Sequence, residues 1–166
     1  MTILMNAAAF FGALFAMEAV AYFSHKYVMH GFLWVLHESH HQERKGLFEK
    51  NDWFAVMFAT PSILLIYLGT NGTPVALWAG LGVAAYGLVY FVFHDVIVHR
   101  RIPHNWRPKG KYMRRIIFAH RHHHAINTKD GAVSFGFIYA PSVPVLRAQM
   151  KEMTTATATA TPSSRP

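Results

Sequence analysis

Ten of the chain's twelve histidines fall into two spacing patterns, and each pattern occurs twice. HxxxxH pairs His25 with His30 and His94 with His99, while HxxHH groups His37, His40 and His41, then His120, His123 and His124. Neutral imidazole is a ligand for zinc, copper, nickel and iron. A tetrahedral zinc takes four ligands, so ten converging imidazoles suit two ions of higher coordination number. A single HxxxxH says little, and HRHHH alone would serve as a basic patch on anionic lipid. Four motifs in paired order point instead to metal chemistry, and these ten are the candidate ligands. His104 and His122 fit neither pattern and are placed outside the site.

The elements must bring these side chains together. Positions i, i+3 and i+4 share one face of an α-helix, so each HxxHH presents three imidazoles at once. An i, i+5 pair lies about 140° apart on an ideal α-helix. HxxxxH therefore predicts either a π-bulge or a helix end at both places. Each of these motifs follows a long apolar run. Ile3–Phe23 has no Lys or Arg and one acid, Glu18, and as a helix it would be about 31 Å long, close to the hydrocarbon thickness of a bilayer. Trp53–Leu68 is shorter and interrupted by Pro61, giving a span near 53–69, and Pro74–Phe93 supplies a third. Gly69–Pro74 reads as the tight turn of a helical hairpin. The predicted fold is all-α, an integral membrane protein with about three transmembrane helices. One domain covers 1–152, and the low-complexity stretch 153–166 is expected to be a disordered tail. AYFSHKYVMH (21–30) and YFVFHDVIVH (90–99) also match in pattern. Whether each half supplies its own five-histidine set, or the sets are mixed, stays open.

Composition agrees with a membrane setting. Apolar residues make up 52% and charged residues 14%, against roughly 25% charged in soluble domains. The absence of cysteine excludes disulfides, thiolate metal sites and haem-attachment motifs. All sixteen Lys and Arg lie in 24–52 or after Phe93. The positive-inside rule then puts the N-terminus and the 69–74 turn outside, and every histidine motif on the cytoplasmic face. Basic residues flanking spans also argue against nucleic acid as the partner of the +8 net charge. Gly131–Leu146 is apolar but broken by Gly136, Pro141 and Pro144, and is read as an interfacial or site-covering segment.

An all-histidine shell leaves the metal charge uncompensated, and burying that charge is costly. Carboxylates are therefore expected nearby. Glu38 and Asp95, inside motifs, are candidates to orient histidines, followed by Glu43, Glu49 and Asp52. Glu18, an ionisable residue within a span, lies seven residues before His25, about two turns back on the same side. It either hydrogen-bonds the underside of the site, holds a polar group near the substrate path, or packs helices as a neutral residue.

The segments MEAVAYFSHKYVMHG, HESHHQERKGLFEKND, HDVIVH and RRIIFAHRHHHAINTKDGAVSFGFIYAP resemble the bacterial β-carotene hydroxylases, within the superfamily of membrane fatty-acid hydroxylases and sterol desaturases. The resemblance runs from about Met17 to Pro141. It implies a non-haem di-iron monooxygenase of the bacterial cytoplasmic membrane, with two iron ions held by the ten motif histidines and O2 as cosubstrate. It further implies hydroxylation at carbon 3 of each β-ionone ring, from β-carotene through β-cryptoxanthin to zeaxanthin. No Gly-rich nucleotide or flavin motif is visible, so electrons would come from a separate carrier, a ferredoxin. Arg100, Arg101, Arg107, Lys109, Lys111, Arg114 and Arg115 form a basic surface that could receive it. The rivals are a fatty-acid or sterol hydroxylase or desaturase of the same superfamily and, from another class, a membrane metal-binding or transport protein.

Overall fold

A computed structural model describes residues 2–160. Helix α1 (Thr2–Phe23) runs directly into a π-helical segment, Ser24–Phe32. A short α2 (Trp34–His37) tightens into a 3-10 turn, Glu38–His41. The hairpin is α3 (Asp52–Thr70) and α4 (Pro74–Tyr90), and α4 continues into a second π-helical segment, Phe91–Val98. Two further helices follow, α5 (Lys111–His123) and α6 (Val143–Ala160).

Three continuous helical stretches are long and apolar enough to cross a membrane: Thr2–Phe32, Asp52–Thr70 and Pro74–Val98. They are apolar all round, as helices facing lipid must be. Ile3, Phe15, Ile63, Tyr67 and Leu88 are each more than half exposed, and such side chains are at ease only in hydrocarbon. Pro61 does not break α3, which continues to Thr70. One lost backbone hydrogen bond is tolerated where neighbouring helices hold the chain. α4 sits between α1 and α3. Gly82 allows the first contact, since a Cβ there would collide with the carbonyl of Phe10. Such close backbone approach replaces the hydrophobic effect as the adhesive between helices in lipid. Across the other contact, the buried Ser62 hydroxyl donates to the Gly80 carbonyl at 2.8 Å.

The spans end in π-helix where HxxxxH occurs. The His99 N–H donates to the His94 carbonyl at 2.9 Å, and the Leu33 N–H to the Val28 carbonyl at 3.0 Å, both i to i−5 bonds. The wider turn brings positions five apart onto one face. Gly31 then leaves helical geometry (φ −106°, ψ −124°) and turns the chain into α2. α5 is amphipathic, burying Ile116, Ile117, Ala119, His120 and His123 while exposing Arg114 and Arg121. A cluster of Ile116, Ala119, Val133, Ala140 and the fully buried Leu146 docks the start of α6. α6 extends through Ala160, so Met153–Ala160 of the expected disordered tail is helical. Residues 161–166 of that expected tail lie outside the described residues.

Candidate metal centre

The ten motif histidines form two groups, and within each the candidate ligand nitrogens all lie within 4.8 Å of one another. Cluster A is His25, His30, His37, His41 and His123; cluster B is His40, His94, His99, His120 and His124. The sharing is mixed. Each HxxxxH stays with its own half, but the middle histidine of each HxxHH crosses to the other cluster. On α5, His124 is about 40° round from His120, whereas His123 is about 60° round in the opposite sense. His120 and His124 therefore face one point and His123 the next. The first motif divides in the same way, although its chain narrows to a 3-10 turn. The clusters adjoin, with the His41 and His124 rings stacked at 4.4 Å.

Hydrogen bonds behind the rings set the tautomers. Nδ1–H of His25 donates to the Phe135 carbonyl (2.9 Å), His30 to Lys129 (2.8 Å), His41 to Ile126 (2.8 Å) and His123 to Val133 (3.1 Å). A carbonyl only accepts, so Nδ1 carries the proton and Nε2 is left with a bare lone pair. His37 donates in the same way to Asn51 Oδ1 (2.7 Å), His40 to Glu49 (2.9 Å) and His94 to Asp95 (2.7 Å). These bare Nε2 atoms then face each other: His25 and His37 at 3.1 Å, His30 and His123 at 3.1 Å, His40 and His94 at 3.0 Å. Lone pairs so close, with no proton between them, repel unless a cation lies among them. Among the described residues, the buried Nε2 of His124 has no hydrogen-bond partner either. The donor set therefore fits one metal ion per cluster.

Of the carboxylates singled out in the sequence, Asp95 and Glu49 back cluster histidines. Glu38 and Glu43 are exposed and bond no histidine. Glu38 fails as an orienter because the 3-10 turn points His37, His40 and His41 inward and leaves it facing out. Asp52 acts at one remove. Its carboxylate receives Arg101 Nη2 at 2.6 Å and the Glu49 backbone N–H at 3.0 Å. Arg101 also donates to Asp95 at 3.1 Å and to the Leu47 carbonyl at 3.0 Å. Arg101, counted in the sequence among the basic surface residues, is held by Asp52, Asp95 and the Leu47 carbonyl behind cluster B. Asn51 and the carbonyls of Ile126, Lys129, Val133 and Phe135 were not foreseen, since a backbone acceptor leaves no mark in the sequence.

Glu18 is bound on all sides. Tyr86 donates to Oε2 at 2.7 Å, and the N–H groups of Phe137, Ile138 and Tyr139 converge on Oε1 at 3.0 Å each. Gly136 fits beneath them because a Cβ there would crowd Glu18 and the Tyr139 carbonyl. The carboxylate thus ties α1 and α4 to the segment after α5. That segment covers the centre: Phe137 stacks on His25 (5.3 Å, 10°), and Phe135 packs edge-on against His25, His30 and His123.

The sequence pattern of the fatty acid hydroxylase family matches residues 10–142. The chain belongs to that family. This hydroxylase is 50% identical over 147 residues to a beta-carotene hydroxylase of Pantoea ananas, covering 89% of this chain and 84% of that one. Its identity to a beta-carotene hydroxylase of Paracoccus sp. (strain PC1) is 46% over 136 residues, 81% and 84% of the two chains. With the chloroplastic beta-carotene 3-hydroxylase 2 of Arabidopsis thaliana it shares 39% over 134 residues, 78% of this chain and 44% of that one. No solved structure matches it.

The electrostatics of the hydroxylase's site favour neutral, ligand-competent imidazoles. Burial lowers His37 to about 3 and His99 to about 3, with neighbouring imidazoles adding to the effect, and lowers His41 to about 4. His40, His120 and His123 are pushed well below the ordinary histidine value by the same two causes, burial foremost. Unfolded histidines titrate near 6.5, so the unfolded chain takes up protons first. The stability these groups contribute is complete above about pH 6.5 and is lost as pH falls through the folded values of about 3 to 4. Metal-stripped protein in detergent is expected to melt at progressively lower temperature from pH 7 down to pH 4. A melting temperature flat over that range would contradict the buried, neutral assignment.

Proposed function

We propose that the enzyme hydroxylates carbon 3 of the β-ionone rings of β-carotene, giving β-cryptoxanthin and then zeaxanthin. Two iron ions would be held by clusters A and B, with His25, His30, His37, His41 and His123 around one and His40, His94, His99, His120 and His124 around the other. The observation that carries this reading is the pair of five-nitrogen clusters at the ends of membrane-length helices, in a chain half identical to a beta-carotene hydroxylase. Bound iron would supply the O2-dependent oxidation: with two electrons and two protons from outside, one oxygen atom would go to the ring and the other would leave as water. The residues set ligand geometry, exclude water and present an apolar approach. A carotenoid dissolved in the bilayer needs to bring only its ring to the helix ends. Phe135 and Phe137, ordered by Glu18, line that approach. Phe135 also separates the clusters from a cavity of about 390 Å³ bordered by Tyr22, Val133, Gly136 and Tyr139.

The basic flanks of the histidine face favour the cytoplasmic side, where a soluble ferredoxin would deliver electrons. Arg100, Arg107, Arg114 and Arg121 line a cleft of about 540 Å³ with Trp106 and His122. None of these four is paired with a carboxylate among the described residues. The cleft lies behind α5, whose opposite face carries three ligands. Charge reversal at Arg107 and Arg114 is expected to raise the KM for ferredoxin about 10-fold and flatten its salt dependence, while iron content stays unchanged. An unchanged KM would move the donor elsewhere.

Pigment chromatography after expression in a β-carotene-producing host tests the substrate. Zeaxanthin and β-cryptoxanthin are expected. Hydroxylated fatty acids with unaltered β-carotene would favour an acyl substrate, in line with the family's description. A transport role would require ionisable groups through the spans, and Glu18 is instead closed off by Tyr86 and the 137–139 backbone.

A further inference from the structure

The hydrogen bonds behind the histidines divide the two clusters by charge. All five histidines of cluster A donate Nδ1–H to neutral oxygens: four backbone carbonyls and the Asn51 amide. In cluster B, His40 and His94 donate to carboxylates, Glu49 and Asp95. Those carboxylates are not independent. Arg101 holds Asp95 through Nη1 and Asp52 through Nη2, and Asp52 in turn holds the Glu49 backbone. One guanidinium thereby fixes the acceptors of two histidines 54 positions apart. Behind cluster A, the loop residues Lys129 and Asp130 offer one charge of each sign, and neither side chain hydrogen-bonds a cluster histidine.

An imidazole whose Nδ1–H is given to a carboxylate is a stronger Nε2 donor than one bonded to a neutral oxygen, because the anion draws the proton and returns electron density to the ring. Resting on the reading of both clusters as iron sites, we infer that the two sites are electronically inequivalent. Cluster B holds the ion that loses an electron more readily in the one-electron change from ferrous to ferric, with Asp95 and Glu49 as positioning residues and Arg101 as their clamp. The near-symmetry of the histidine motifs thus conceals a functional polarity between the two halves of the centre.

The test uses the full-length enzyme loaded with iron-57, reduced without oxygen and titrated with ferricyanide, each equivalent of which accepts one electron. Mössbauer spectra should show two ferrous doublets of equal area, one disappearing before the other. Asp95→Asn and Glu49→Gln keep an acceptor oxygen but remove the charge. Each should shift the early doublet alone and move its oxidation later. Asn51→Ala should shift only the other doublet. In chelator competition the two charge-removing variants should release one ion per chain about 10-fold faster or more, leaving the second ion unaffected. Should Asp95→Asn fail to accumulate, Glu49→Gln carries the comparison alone. Doublets that oxidise together in the unaltered enzyme, or that both move in Glu49→Gln, overturn the inequivalence. An unaltered enzyme holding fewer than two irons overturns the di-iron reading itself.

Discussion

His40→Ala and His123→Ala are each expected to abolish hydroxylation and remove iron from one cluster. Each of these residues is supplied by one HxxHH to the cluster anchored by the other half, so either change opens a ligand set and loosens the join between halves. Loss of an outer hydrogen-bonding partner alone costs about 10–100-fold in metal affinity or activity, and loss of a ligand should exceed about 100-fold by the same measure. His40→Ala also leaves the part-buried Glu49 carboxylate without its imidazole partner. His122→Ala should retain both irons, because among the described residues His122 donates only to the Phe118 carbonyl one turn back on its own helix. Among the described residues, His104 likewise bonds only the Val96 carbonyl. Iron content by emission spectroscopy and pigment analysis provide the measurement. Full activity in His40→Ala would be incompatible with the two-cluster centre.

Glu18→Ala should be nearly as damaging, by a different route. It strips a hydrogen bond from Tyr86 and leaves three convergent N–H groups unsatisfied. An orphaned buried donor costs about 1–3 kcal/mol; the Phe137 and Ile138 N–H groups are part-buried while that of Tyr139 is exposed and can turn to water, so a total loss of about 2–6 kcal/mol is expected. The segment carrying Phe135 and Phe137 would then no longer be held over the clusters. Thermal melting in detergent should drop sharply, and iron should exchange with an added chelator. Glu18→Gln keeps one acceptor oxygen and should lose less. Equal stability of Glu18→Ala and the unaltered enzyme would mean that the carboxylate does not hold the segment. No ordinary helix-packing role predicts a coupled loss of iron, so the two readouts together distinguish the assignments.

Much of the architecture was legible because lipid imposes strict rules on sequence. Spans must be long, apolar and self-satisfied in hydrogen bonding, so all three could be read from composition and run length. The HxxxxH spacing was informative for a geometric reason. Five residues do not share a face of an α-helix, so two such pairs after apolar runs required wider turns or helix ends, and π-helix occurs at both. α3 meets the expectation of a second span: Pro61 lies inside it, and the helix runs unbroken from Asp52 to Thr70. Low complexity suggested disorder after 152, whereas α6 runs through Ala160.

By itself, the sequence determined which ten residues form the candidate centre, that membrane-length helices carry them, and that Glu18 stands apart from its apolar surroundings. The tertiary structure alone decided how they divide. The crossing of His40 and His123 depends on the angle at which two helix ends meet. The backing of one cluster by carbonyls and the other by carboxylates depends on where the 126–135 loop and the Glu49–Asp52 turn close against them. Arg101 illustrates the limit most clearly. Spacing places it with the other basic residues, whereas folding brings Asp52, 49 positions away, within 2.6 Å of its guanidinium. Helical periodicity relates a residue to neighbours a turn or two distant, and contacts over such separations are set by how the helices pack.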